Sequence, residues 1–114
     1  MSVWQIALRL LVRIYSITSK FPKEEKYGIT ADIRRAANSV IHNLAEGYGR
    51  FENKDKTRFY KISRGSAYEI ISQVLASHLL QYLNTEEKDE LIDGYKQVIS
   101  EQDCLIKSVE QRNS

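Results

Sequence analysis

Helical spacing places Arg35, Ser39, His42 and Glu46 on one polar stripe, in steps of four, three and four residues. A hydroxyl, an imidazole and a carboxylate are the parts of nucleophilic hydrolysis, where the imidazole takes the hydroxyl proton and the acid orients the ring. Side chains along one helix run parallel, however, so these three cannot converge on one reacting atom. The stripe is read instead as a solvated face, with Glu46 in a buried ion pair to Arg35, Arg50 or Arg64 that holds the register of two helices. No catalytic residue is assigned, and the chain is expected not to be an enzyme.

A second constellation is cationic. Lys54, Arg58, Lys61 and Arg64 follow one another at helical spacing, Arg50 stands just before them, and Phe51, Phe59 and Tyr60 are interleaved. Ammonium and guanidinium heads neutralise phosphates, and aromatic rings beside them stack on bases. These five cations are the candidate nucleic-acid contacts, and Arg35, Glu46 and Arg64 the candidate structural polar network. The ordinary reading of the same residues is a solvated helix face over core aromatics.

Metal and cofactor chemistry has little to use. His42 and His78 are the two histidines, on different helices and without the glutamate spacing of a di-iron bundle. Gly47-x-Gly49 lacks the strand-to-helix setting of a dinucleotide loop and reads as a helix terminus. Cys104 is the one cysteine, so an internal disulfide is excluded, which suits a reducing cytoplasm. Its helical neighbours Gln97, Ser100, Glu101 and Ser108 place it at a polar edge. No cofactor and no metal are expected.

The elements that must position these residues are helices. Five Gly and one Pro in 114 residues leave few places to turn, and the length suits one domain over 1–114. Apolar periodicity predicts helices near 2–20, 30–48, 54–82 and 86–110, with Pro22 ending the first, Thr30 capping the second and Asn84 or Thr85 capping the fourth. Short loops between long helices predict an all-α, up-and-down antiparallel four-helix bundle. Leu11, Ile33, Leu44, Ile70, Val74 and Val98 are the expected core, and fraying is expected from Gln111 onward. Arg9 and Arg13 interrupt the apolar run of the first helix, so no membrane span is expected.

Two features bear on partners. The first helix carries two apolar stripes, and Ile92, Ile99 and Ile106 lie beside the main seam of the fourth. An isolated bundle would leave part of that surface wet, which predicts a homo-oligomer. The charge is polarised: residues 1–66 carry 13 basic and 6 acidic side chains, residues 67–114 carry 4 and 9, and the net is +2. A chain so close to neutral is no dedicated high-affinity nucleic-acid binder, yet a local basic surface is available to RNA or DNA.

Several ordered segments carry a family resemblance: Val3-Trp4-Gln5, Phe21-Pro22-x-x-Glu25-x-Tyr27-Gly28, Ile33-Arg34-Arg35-Ala36-Ala37-x-Ser39, Asn43-x-Ala45-Glu46-Gly47-x-Gly49-Arg50 and Arg64-Gly65-Ser66-x-Tyr68-Glu69. Together they resemble the bacterial four-helix-bundle proteins encoded in 23S rRNA intervening sequences. The resemblance implies a ring-shaped pentamer without enzymatic activity. It also implies kinship in fold with accessory proteins of diversity-generating retroelements, hence a nucleic acid and a protein such as a reverse transcriptase as partners. Two positions depart from the pattern: Ser39-Val40-Ile41 stands where a Ser-Ile-Pro is common, and Asp32 replaces a usual Gln, lowering the positive charge at that helix start. Two functions therefore follow as expectations: an oligomeric scaffold that contacts RNA or DNA through its basic face, and a protein-binding structural oligomer with no nucleic-acid role.

Overall fold

The computed structural model describes residues 1–112. The chain forms α1 (Ser2–Thr18), α2 (Ile29–Gly49), α3 (Asn53–Leu79) and α4 (Thr85–Gln111), with a 3₁₀ turn at Lys23–Glu25 and no strand among the described residues. Each helix packs on two others, α1 on α2 and α4, α3 on α2 and α4, and the backbones of the diagonal pairs stay farther apart. That pattern is the antiparallel up-and-down bundle, 49 × 24 × 19 Å overall. Residues 113 and 114 lie outside the described residues, and α4 continues through Gln111, where fraying was expected to begin.

Three helix ends differ from the sequence-based expectation, each for a local reason. α1 stops at Thr18 because the Thr18 hydroxyl donates to the Ile14 carbonyl at 2.6 Å, while the Lys20 and Phe21 amides turn back to Ile17 and Thr18. Thr30 does not cap α2: the 3₁₀ turn brings the Gly28 amide onto the Glu25 carbonyl, and the helix starts from Gly28, placing Thr30 inside its first turn. α3 ends at Leu79 instead of 82. Gln81 adopts φ 65°, the Tyr82 amide reaches the Ser77 carbonyl, and the Gln81 amide reaches His78, which is a Schellman stop. Asn84 caps α4 in a reciprocal box, its side chain accepting from the Glu87 amide while Glu87 accepts from the Asn84 amide.

Ile33, Leu44, Ile70, Val74 and Val98 are buried as expected. Leu11 is the exception, since α1 turns its Val3, Ala7, Leu10, Ile14 and Ile17 stripe inward and leaves Leu11 half-buried on the flank. Gly94 makes this possible, because a Cβ there would stand 2.5 Å from Leu10 Cδ2. The bundle also absorbs apolar residues that had argued for oligomerisation: Ile99 and Ile106 are buried, and Trp4, Ile6, Leu8 and Ile92 pack half-buried on the core. On α1, Val12 and Tyr15 stay exposed, and a longer exposed apolar row runs along the outer face of α3, at Tyr68, Leu75 and Leu79, with Leu80 beyond it.

One polar chain crosses the core. Fully buried Gln102 donates from Nε2 to Ser63 Oγ at 2.7 Å, and Ser63 donates to the Val40 carbonyl at 2.7 Å. It ties α4, α3 and α2 at one level, and any axial slip of these helices would strand buried polar atoms.

Candidate functional site

The polar network expected of Arg35, Glu46 and Arg64 does not form. Glu46 is exposed and accepts from Arg50, four residues on along the same helix, at 2.9 and 3.1 Å. Arg35 reaches across to Glu69 of α3, and Arg64 turns to Asp103 of α4. Glu46 shares the helical face of Arg35 and Ser39, but its carboxylate is met by Arg50 one turn on, while Glu69 and Asp103 take Arg35 and Arg64. The α2–α3 register is held instead by Arg35–Glu69, by the Ser66 hydroxyl donating to Ser39 Oγ at 2.8 Å, and by Ser63 on the Val40 carbonyl. The Ser39–His42–Glu46 stripe is likewise dispersed, for Ser39 bonds to Asn43 and Ser66 while His42 is exposed. Among the described residues no three His, Cys, Asp or Glu side chains gather as a metal site, and no helix is long and apolar enough to cross a membrane. Cys104 is a free, exposed thiol.

The structure brings most of the candidate nucleic-acid residues to one place, the corner where α2 hands over to α3. Lys54, Arg58 and Lys61 line a shallow concavity of about 560 Å³ with Thr57, Ile62 and Glu110. The guanidinium carbons of Arg50 and Arg58 lie 4.7 and 4.4 Å from the Phe59 ring centroid. Four of the five cations meet a carboxylate: Arg50 with Glu46, Arg58 with Asp55 at 3.7 Å, Lys61 with Glu110 at 3.0 Å, and Arg64 with Asp103. Lys54 has none among the described residues.

The interleaved aromatics separate just as sharply. Tyr60 is 2% exposed, and burial pushes its hydroxyl above the ordinary tyrosine pKa. Its ring is the reason for Gly47, where a Cβ would stand 2.6 Å from Tyr60 Cε1 and 3.1 Å from the Lys56 carbonyl. Gly47 is therefore a close-approach residue near the helix end. Phe59 is half-buried beneath its two arginines, and only Phe51, 97% exposed, is free in solvent. Tyr48, 68% exposed beside it, was not among the aromatics singled out from sequence. Lys56 fixes this corner by donating to the Gly47 and Tyr48 carbonyls, at 3.3 and 2.8 Å, at the end of α2.

A second cationic region lies at the opposite end of α2, and its residues were read from sequence only as a turn and a helix start. Lys23, Lys26 and Arg34 line a cavity of about 410 Å³ with Thr18, Ser19, Phe21, Pro22 and Thr30. No carboxylate lines it. Arg34 donates from Nε to the Thr18 hydroxyl at 2.9 Å and from Nη2 to the Tyr15 carbonyl at 3.4 Å, and lies 4.5 Å from the Tyr15 ring centroid.

A family model described as 23S rRNA-intervening sequence protein matches residues 1–101. The chain belongs to the 23S rRNA-intervening sequence protein family. A solved structure from Bacteroides thetaiotaomicron, described as a protein with unknown function from the S23 ribosomal protein family, superposes with a TM-score of 0.86. It is 19% identical, and the match covers 93% of this chain and 96% of that one. No curated protein matches. Family and fold are thus common property of this chain and its relatives, whereas the rims at the two ends of α2 are described by the side chains of this sequence alone.

Proposed function

We propose that this member of the 23S rRNA-intervening sequence protein family is a non-enzymatic scaffold that assembles with copies of itself and touches single-stranded RNA or DNA weakly through the α2–α3 corner. The observation that carries the binding part is the exposed ring of Phe51, with Tyr48 exposed under Lys56, at the α2–α3 turn that leads into the helix bearing Lys54, Arg58 and Lys61. Solvent-exposed rings next to cations suit stacking of unpaired bases, at about 1–3 kcal/mol per base, together with phosphate contact. The carboxylates that pair with Arg50, Arg58 and Lys61 temper the field, so the contact is weak and easily screened. The assembly part is supported by the outer face of α3, where Tyr68, Leu75 and Leu79 expose an apolar stripe that a second copy would cover. The count of five comes from the family resemblance.

The second reading, a protein-binding oligomer without a nucleic-acid role, is favoured by that same charge pairing. Fluorescence anisotropy with a single-stranded oligouridylate separates the two. The proposed function expects micromolar or weaker affinity at physiological salt, falling linearly on a log–log plot as salt rises. Charge reversal at Arg58 and Lys61, or Phe51→Ala with Tyr48→Ala, should abolish most of it. Binding indifferent to those changes would overturn the corner, and light scattering at a single protomer mass would overturn the assembly.

A further inference from the structure

The cavity at the α1–α2 elbow is lined by three cations and no carboxylate. Lys23, Lys26 and Arg34 have no carboxylate partner among the described residues, and only these cations, hydroxyls and apolar groups form its wall. The nearby acids are engaged or turned elsewhere. Glu25 accepts from the Tyr82 hydroxyl at 2.8 Å, Asp32 stands 3.5 Å from Arg35, and neither these two nor Glu24 lines the cavity.

Three further observations bear on what such a wall would hold. The 21-residue α2 begins here with no side-chain hydrogen bond capping it, though Asp32 stands in its first turn and a Glu25 carboxylate oxygen lies beside Gly28. Thr30, in the first turn, is 8% exposed, sits on the cavity wall, and has a buried hydroxyl without any hydrogen-bond partner. A buried unpaired hydroxyl costs stability unless something occupies it. Finally, Arg34 is already held by the Thr18 hydroxyl, the Tyr15 carbonyl and the Tyr15 ring, so its guanidinium is fixed before any ligand arrives and its Nη1 edge is unused. Preorganised donors lose little entropy on binding an oxyanion.

We propose that the α1–α2 elbow is a phosphate-binding site, which takes free phosphate or the terminal phosphate of a larger molecule between Lys23, Lys26, Arg34 and Thr30. A phosphate presents several acceptor oxygens and up to two negative charges, which suit the three cations and the unpaired hydroxyl of this wall. The site is independent of the α2–α3 corner, lying at the other end of α2.

The test is calorimetric titration of the full chain with inorganic phosphate at constant ionic strength, chloride being the control. The expected result is saturable binding of one phosphate per protomer at roughly 1 mM or tighter. The double variant Lys23→Glu/Lys26→Glu, at two exposed positions, should weaken it by roughly tenfold or more. Thr30→Val supplies a second readout: the hydroxyl has no partner in the free protein, so its loss should raise the melting temperature while weakening phosphate binding. A purely structural Thr30 would not give that opposite pair. Absence of saturation at tens of millimolar phosphate, or unchanged binding by the lysine variant, overturns the site. An oligouridylate with a 5′-phosphate, compared with its 5′-hydroxyl twin, then identifies the source. Tighter binding of the phosphorylated form assigns a polynucleotide end, and equal binding assigns free phosphate. Inorganic phosphate has no base to stack on Phe51, so its titration stands or falls apart from the corner.

Discussion

The two ends of α2 both gather cations and treat them in opposite ways. At the α2–α3 corner, Arg50, Arg58 and Lys61 each face a carboxylate, contributed by the same helix or by α4. At the α1–α2 elbow, Arg34 is held by a carbonyl, a hydroxyl and a ring, while Lys23 and Lys26 face no acid. The number of basic residues in a segment therefore says little about free charge. Glu46 and Asp55 stand within one helical turn of their cations, and α4 brings Glu110 to Lys61, whereas no carboxylate lines the elbow cavity.

The comparison breaks most visibly at the helix contacts beneath it. Gly47→Ala should drive a methyl into buried Tyr60 and cost about 1–3 kcal/mol, read as a lower denaturant midpoint with an unchanged slope. A neutral outcome would mean that the corner is loosely packed and its rim not preorganised. Arg34→Ala removes two hydrogen bonds and a ring contact at the end of α1, for an expected loss of about 1–2 kcal/mol in the same measurement.

Acid titration sharpens the contrast with a third set of pairs, those joining α1 to α4. Hydrogen bonding by Lys20 holds the Glu87 carboxyl below its ordinary pKa, and hydrogen bonding by Arg13 does the same for Glu90. Carboxylates depressed in the folded state contribute stability that is fully present above their unfolded pKa and lost as pH falls through the lower folded value. Melting temperature should therefore drop between about pH 5 and 3, and Glu87→Gln should flatten that drop. An equally steep drop in the variant would remove Glu87 from the account.

The smallest effect is expected at Glu46. Because its pair with Arg50 is exposed and lies within one helix, Glu46→Ala should change stability by no more than about 0.5 kcal/mol. A loss of several kcal/mol would restore the buried pair that the residue pattern suggested.

Much of the bundle was legible in the residue pattern. Long apolar periodicities, one Pro and few Gly placed four helices within a few residues of where they lie, and the seams at Ile33, Leu44, Ile70, Val74 and Val98 identified the core. The helix ends at Thr18 and Leu79 were missed because a side-chain bond to a carbonyl and a left-handed Gln81 leave no periodic trace. The candidate site was legible only as a set of residue types. Sequence spacing put Lys54, Arg58 and Lys61 on one helical face, but it could not tell exposed Phe51 from buried Tyr60 or assign Glu46 to Arg50 in place of Arg35. Periodicity along one helix fixes which side chains share a face, since 3.6 residues make a turn. Rotation of that face toward a neighbour, and hence the partners of charges that cross between helices, such as Arg35 and Arg64, and the cavity at the elbow, is settled only when four helices compete for one core.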